Sequence, residues 1–374
     1  MPGPAGATPV VWNDRIFLTS VDANDLLLIC VTTDGKELWR QTVGVGNKDV
    51  RRDEGNSASP SPVTDGEHVW ATMASGAMAC FDLDGNEQWR TDLQERYGPF
   101  EIQFGMTSTP VLYEDRLFLQ FIHGDYQGET KEASVIALDK QTGAEIWRQE
   151  RITDASGENE HSYASPVLYD DGKLKFLITH GSDYVMGHHL SDGAEIWRCG
   201  GLNPRDDPRK QYHPTMRFVA SPAAAPGIIV VPSAKNGPVL AISPKFEGDI
   251  THNQEARLWT LPRGTPDVPS PLIHDGLVYL CREQGNLMCH DAWKGTELYL
   301  ERTRRNRHRA SPIYADGHIY LSSRDGIVSV VKTGREFELV TQNDIGEPLT
   351  ASPAISNGTL YLRSYEALWA IRNQ

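Results

Sequence analysis

A small residue followed by Pro and a short apolar stretch recurs eight times along these 374 residues. The copies begin "TPVV" at Thr8, "SPVT" at Ser61, "TPVL" at Thr109 and "SPVL" at Ser165, then "SPAA" at Ser221, "SPLI" at Ser270, "SPIY" at Ser311 and "SPAI" at Ser352. The anchors Pro9, Pro62, Pro110, Pro166, Pro222, Pro271, Pro312 and Pro353 stand 41 to 56 residues apart. A period of that size belongs to propeller blades and long solenoid units, whose repeats cannot hide their apolar faces alone.

The seventh copy displays the order of signals most cleanly. "SPIYAD" reads as a short apolar strand, "DG" at Asp316 as a turn and "HIYLSS" as a second strand rich in β-branched and aromatic residues. "RDG" from Arg324 turns into "IVSVV", and "TG" at Thr333 leads to "REFELV". Alternation without a helical period predicts four antiparallel strands per unit. The expected fold is therefore all-β, one eight-bladed β-propeller of four-stranded antiparallel blades over residues 1–374, with helix tolerated only in the long insert between Ser243 and Arg257.

A second repeated element is an octapeptide: "TDGKELWR" from Thr33, "LDGNEQWR" from Leu83, "QTGAEIWR" from Gln141 and "SDGAEIWR" from Ser191. Its Trp (Trp39, Trp89, Trp147, Trp197, and Trp259 in "EARLWT") falls on the outermost strand. A flat ring there can wedge between blades while its indole N–H reaches a backbone carbonyl. Tyr299 and Phe337 are read as the aromatic substitutes in blades six and seven. After Pro353 only "AIS", "TLYLRS" and "ALWAIRNQ" remain, so blade eight is expected to have three strands or to borrow one. Residues 1 to 7, "MPGPAGA", are too rich in Pro and Gly to supply the fourth. A longer natural N-terminus carrying both the export signal and that strand is the expected cause.

Composition narrows the partners. Lys and Arg total 36 against 50 Asp and Glu, a net charge of −14, which argues against nucleic acid. No apolar run reaches the ~20 residues of a membrane span, and "MPGPAGATPV" is not built as a secretory signal. The five cysteines have no zinc spacing. Cys30, Cys80 and Cys289 sit five or six residues before a turn Gly and read as small core residues.

The combination "SPV…DG…VY…ALD.QTGAEIWR", best preserved from Ser134 to Arg148, resembles the pyrroloquinoline-quinone-type repeat. That family of bacterial eight-bladed propellers includes the outer-membrane assembly lipoprotein BamB. The resemblance spans essentially the whole chain and implies the fold more strongly than a function, because the repeat serves both quinone dehydrogenases and non-catalytic scaffolds. The alcohol dehydrogenases of the family carry adjacent cysteines, a channel Trp under the quinone, and a Glu, Asn and Asp set for calcium. This chain has no Cys-Cys pair and no Trp in the loops that reach the mouth, and "DAND" at Asp22 reads only as a turn with carboxylates. Neither pyrroloquinoline quinone nor calcium is expected, and no metal site is assigned.

Strand order places the loops leading into each Pro anchor on one face, together with the turns between second and third strands. Variation concentrates there, making it the expected ligand or partner face. Three groups stand out. His161, Tyr163, His213 and Arg217, from consecutive blades, are candidate proton-transfer and anion-holding groups, or a hydrogen-bonded seam. "RTRRNRHR" from Arg302 would align Arg305, Arg307 and Arg309 for carboxylate or phosphate contacts if extended, or form a solvated edge. With Arg324, Asp325, Arg282, Arg363 and Tyr365, Arg307 and Arg309 make up the candidate ligand-binding set. His188, in "GHHL", falls five residues before Gly193 where Cys30 and Cys80 stand relative to Gly35 and Gly85, and reads as a hydrogen-bonded core histidine rather than a ligand.

These observations lead to an extracytoplasmic scaffold, periplasmic or secreted, that binds a protein or polysaccharide on its variable face. The alternatives are an enzyme acting on an acidic carbohydrate at the channel mouth and, less favoured, a quinoprotein dehydrogenase.

Overall fold

In a computed structural model that describes residues 1–50, 55–125, 131–203, 213 and 215–372, each Pro anchor leads into the innermost strand of one sheet. Blade two is typical: Val63–Thr64, His68–Thr72, Ala77–Asp82 and Glu87–Asp92 pair antiparallel in sequence order. Eight such sheets form an eight-bladed β-propeller. Inner strands of successive blades touch, and Val10–Trp12 of blade one meets Ala354–Ser356 of blade eight, closing the ring.

The period of two in the strands explains where the core sits. In blade one Phe17 points toward blade two while Ile16 and Leu18 point toward blade eight. The buried apolar side chains accordingly fall into eight clusters, each drawn from two neighbouring blades. Each sheet thus hides its two faces in two different seams.

Two interlocks stitch these seams. On the outside, Trp39, Trp89, Trp147 and Trp259 donate their indole N–H to Leu83, Lys140, Leu190 and Ala292 of the following blade, at 2.7–3.1 Å. Each ring lies on the turn glycine of that blade: a Cβ on Gly85, Gly143, Gly193 or Gly295 would come within 2.8 Å of it or closer. Those glycines also have φ between +66° and +87°, so only Gly meets both demands. Near the axis, the N–H of each anchor residue donates to the hydroxyl of the next anchor, from Thr8 to Ser61 and onward to Ser352, in seven links of 2.9–3.0 Å. From Ser61 to Ser352 the residue before Pro is thus Ser or Thr for its hydroxyl, not merely for its small size.

Several details differ from the sequence reading. The insert between Ser243 and Arg257 is not helical; its Gly248–Asp249 pairs parallel with Trp197 and Arg198 as a fifth strand on blade four. Among the described residues the α-helix is the five-residue Leu93–Tyr97, capped by Asp92, and a 3-10 turn spans Gly157–Glu160. Trp197 is buried without a hydrogen-bond partner, because blade five has this insert where the other blades have a tight turn. Phe337 does not replace the outer-strand Trp: opposite Val330 stands Thr341, and Phe337 packs edge-on against Tyr299 of blade six. The small slot in blade four is Gly187, which faces Trp197 as Cys80 faces Trp89; His188 is one residue further on. His188 is nonetheless a bonded core histidine, its Nδ1–H donating to the Gly193 carbonyl at 3.1 Å and its Nε2 accepting from the Thr179 hydroxyl at 2.9 Å. All five cysteines are buried and free. Among the described residues blade eight has three strands, Ala354–Ser356, Thr359–Arg363 and Leu368–Arg372.

Candidate functional site

The ends of the strands decide which loops meet. Tight turns after the first and third strands lie on one face, and the loops leading to the anchors join the middle turns on the other. On that second face an axial cleft of about 420 Å³ opens. Its lining reaches from Gly6, Val50 and Ser59 through Phe104, Thr107, Tyr163, Arg217 and Lys235 to Asp267, Glu283, Arg307, Arg309 and Thr350.

Among the described residues, four cations line this cleft against two carboxylates, in a protein of net charge −14. Glu283 holds two of the cations: Arg309 Nη1 lies 3.2 Å and Arg307 Nε 3.8 Å from its Oε1. Arg307 is 56% exposed and Arg309 18%, so the pair offers one guanidinium to solvent and one braced in the wall. Opposite them Arg217 bonds Glu158 at 2.8 Å and lies over the Phe104 ring at 5.3 Å, and Phe104 contacts Tyr163 at 5.6 Å between centroids. Lys235 sits in a turn with φ +53°, its backbone N–H donating to Asp267 at 3.0 Å. Arginines beside an aromatic wall in a partly shielded cleft suit carboxylates or phosphates.

The candidate residues separate. Tyr163, Arg217, Arg307 and Arg309 line the cleft. His161 does not join them as a proton-transfer group: it is fully buried in the seam between blades three and four, with Nε2–H donating to the Gly124 carbonyl at 2.9 Å. Burial holds its pKa below the usual histidine range. His213 is exposed, its backbone bonded to Asn203, and is not part of the cleft lining. The segment from Arg302 is a loop rather than a strand from Thr303 on, so the expected alignment of Arg305 with Arg307 and Arg309 is not formed; Arg304 turns to Asp325 at 2.7 Å. Burial opposes ionisation of Asp325, but bonds from Ser323 and Arg304 outweigh it and keep its carboxyl below the usual range. Arg282 donates to Asn236 at 2.9 Å, and the backbone N–H of Arg324 donates to the Arg307 carbonyl at 2.7 Å. Arg363 is buried, donates to the Gly3 carbonyl at 2.8 Å, and is pushed down to about 10 by burial. Tyr365 lines a smaller hollow beside Pro4 and Asp49. Of the loops read from sequence, residues 51–54, 211, 212 and 214 lie outside the described residues.

Sequence reasoning did not single out Phe104, Lys235, Asp267 or Glu283 as site residues. They sit in the loops already marked as variable, but nothing repeats between those loops to distinguish a lining position from its neighbour. The described aromatic residues of the lining are Phe104 and Tyr163, Glu283 is engaged by Arg307 and Arg309, and the five cysteines are buried and do not line the cleft.

Eight blades, four of their seams closed by a Trp resting on a turn glycine, with a polar axial cleft, define a β-propeller of the pyrroloquinoline-quinone-type repeat class. A family model described as outer membrane protein assembly factor BamB matches residues 2–199 and again 129–336, and the chain belongs to that family. The outer membrane protein assembly factor BamB of Xanthomonas campestris pv. campestris is 25% identical over 190 residues, a match covering 50% of this chain and 39% of that relative. The crystal structure of BamB from Moraxella catarrhalis superimposes with a TM-score of 0.66 at 12% identity, covering 97% of this chain and 92% of that one. A europium-containing methanol dehydrogenase superimposes with a TM-score of 0.67 at 12% identity, covering 95% and 81%. Likeness at this level to both a scaffold and an enzyme speaks for the fold alone.

Proposed function

We propose that the protein is a non-catalytic scaffold of the bacterial cell envelope that docks an acidic segment of a partner protein in the axial cleft. The observation that carries this reading is the excess of cations among the described lining residues, Arg217, Lys235, Arg307 and Arg309 against Glu283 and Asp267, in a molecule of net charge −14. Such a reversal of local charge draws an anionic segment to one place and repels it elsewhere. The name of the Xanthomonas relative, an assembly factor for outer membrane proteins, supports a protein rather than a polysaccharide as partner, and a periplasmic location.

The test uses a fluorescent deca-glutamate peptide followed by anisotropy. The double variant Arg307→Ala, Arg309→Ala should bind about tenfold more weakly and with a shallower salt dependence. Arg335→Ala, which removes a cation paired with Asp291 on the opposite face, should bind as the parent does. Equal affinity in the double variant and the parent would overturn the reading.

The same reading carries no quinone and no calcium. Titration calorimetry with pyrroloquinoline quinone and calcium should give no stoichiometric site, and dye-linked alcohol oxidation should stay at background after reconstitution. A single tight quinone site would reverse this.

A further inference from the structure

Blade three departs from its siblings at one buried position. The residue four beyond the outer-strand aromatic is Val43 in blade one, Leu93 in blade two and Thr303 in blade six, each buried and none charged. In blade three it is Arg151. The backbone there is the same: the N–H of Leu93 donates to Gly76, that of Thr303 to Gly285 and that of Arg151 to Ala133, at 2.7–2.9 Å. Blade five also has an Arg four beyond its Trp, but Arg263 is exposed, whereas Arg151 is 2% exposed.

Arg151 reaches across the seam into blade four. Its Nε donates to the Thr179 hydroxyl at 3.1 Å and its Nη2 to the Tyr184 carbonyl at 2.6 Å. Neither partner is charged, and among the described residues Nη1 has no hydrogen-bond partner. Burial, with the Arg198 charge, pushes its pKa down to about 9 against the pull of Glu195 and Asp183, so it still carries its charge at neutral pH. Glu195 is itself bonded to Arg198 at 2.6 Å. A buried charge ordinarily has a countercharge close by or gives way to an apolar residue, as this slot does in blades one and two.

Beside Arg151 lies a cavity of about 280 Å³ that shares no lining residue with the axial cleft. Among the described residues its buried lining includes His123, Arg151, Glu160 and Ser182, and Arg148 and Glu150 are exposed. His123 Nδ1 accepts from the Glu101 N–H at 3.3 Å, which leaves the ring proton on Nε2 as a donor.

We propose that this cavity is a second binding site, which takes a small monocarboxylate whose oxygens accept from Arg151 Nη1 and His123 Nε2. One guanidinium without an adjacent countercharge calls for one negative charge, delivered by a planar group that can lie against it. Glu150 and Glu160 in the same lining make a second negative charge costly, which disfavours phosphate.

The probe is sodium propionate, titrated by calorimetry into the full chain in a low-chloride buffer, with propionamide as its uncharged match. Propionate should bind at one saturable site and propionamide should not. Arg151→Leu, the residue blade two carries in this slot, should weaken propionate about tenfold or more while its melting temperature without ligand equals or exceeds the parent's. His123→Leu removes the other donor, should weaken binding about threefold, and gives the same test if Arg151→Leu does not fold. The double variant Arg307→Ala, Arg309→Ala should bind propionate as the parent does, which separates this site from the axial cleft. N-acetylated trialanine distinguishes the source of the carboxylate. Tighter binding than propionate, lost when its C-terminus is amidated, would assign the site to the end of a polypeptide; weaker binding would assign it to a free small molecule. The proposal fails if the propionate heats do not saturate, if propionamide or chloride at the same concentration competes equally, or if binding survives in Arg151→Leu. It also fails if the double variant loses propionate binding.

Discussion

Trp147→Ala should lower the free energy of unfolding by about 3–5 kcal/mol, the range for truncating a large buried aromatic residue. Trp147 is 8% exposed, its ring lies 5.9 Å from that of Phe118, and its indole N–H donates to Leu190 of the next blade. The ring covers Gly193, so its removal opens a hole in a seam between two blades that cannot close without moving both. Trp147→Phe keeps much of the contact and loses the hydrogen bond, and should cost about 1–2 kcal/mol. Gly193→Val attacks the same joint from the other side, forcing a β-branched residue to φ +74° with its Cβ 2.4 Å from the ring. Urea unfolding followed by circular dichroism measures all three. A loss below about 1 kcal/mol for Trp147→Ala would mean that the repeated Trp does not hold the seam.

The second large effect is expected in acid. His180 is fully buried, edge-on to Phe218 at 4.8 Å. Burial, helped by the nearby Arg151 guanidinium, pushes its pKa down to about 3. The same causes push His188 down to about 4, and burial with His161 pushes His123 to about 4. These folded values lie below the ordinary 6.5, so in acid the unfolded chain takes up protons that the folded chain does not. The contribution is fully present above pH 6.5 and is lost as pH falls toward 4 and below. Between pH 7 and 4.5, His180 alone should cost the parent about 2.5 kcal/mol of stability. His180→Leu should therefore lose about that much less over the same interval, read from urea transitions at the two pH values. Parallel losses in parent and variant would show that His180 is not the group being protonated.

Arg309 and Arg363 show where the sequence stops being informative about the site. Both were legible as arginines on the variable face. One lines the cleft and leans on Glu283, while the other is buried and braces the Gly3 carbonyl. Depth below the mouth depends on how each loop folds back over its blade, and the loops share no repeat from which that depth can be read. The same holds for His161 and His213, close in sequence order to Tyr163 and Arg217 yet placed in a seam and at an exposed position. Glu283, which organises the two cleft arginines, was one polar turn residue among many until the loop ahead of blade seven was laid against it.

What the sequence determined by itself was everything that recurs. Eight Pro anchors, the alternation of apolar residues and the Gly-bearing turns are local signals, and their repetition leaves radial packing as the way to bury both faces of every sheet. The three strands described after Pro353 follow from the same signals. The tertiary structure alone decided which residues serve one another across blades. The hydroxyl of Ser61 is visible as a letter, but its partner is the N–H of Thr8, 53 residues away. Trp89 acts on Gly143, and Phe337 supports Tyr299 rather than taking the place of a Trp. Such pairings, and the depth of each loop, depend on distances between chain segments far apart in sequence, and no periodicity along a single strand encodes them.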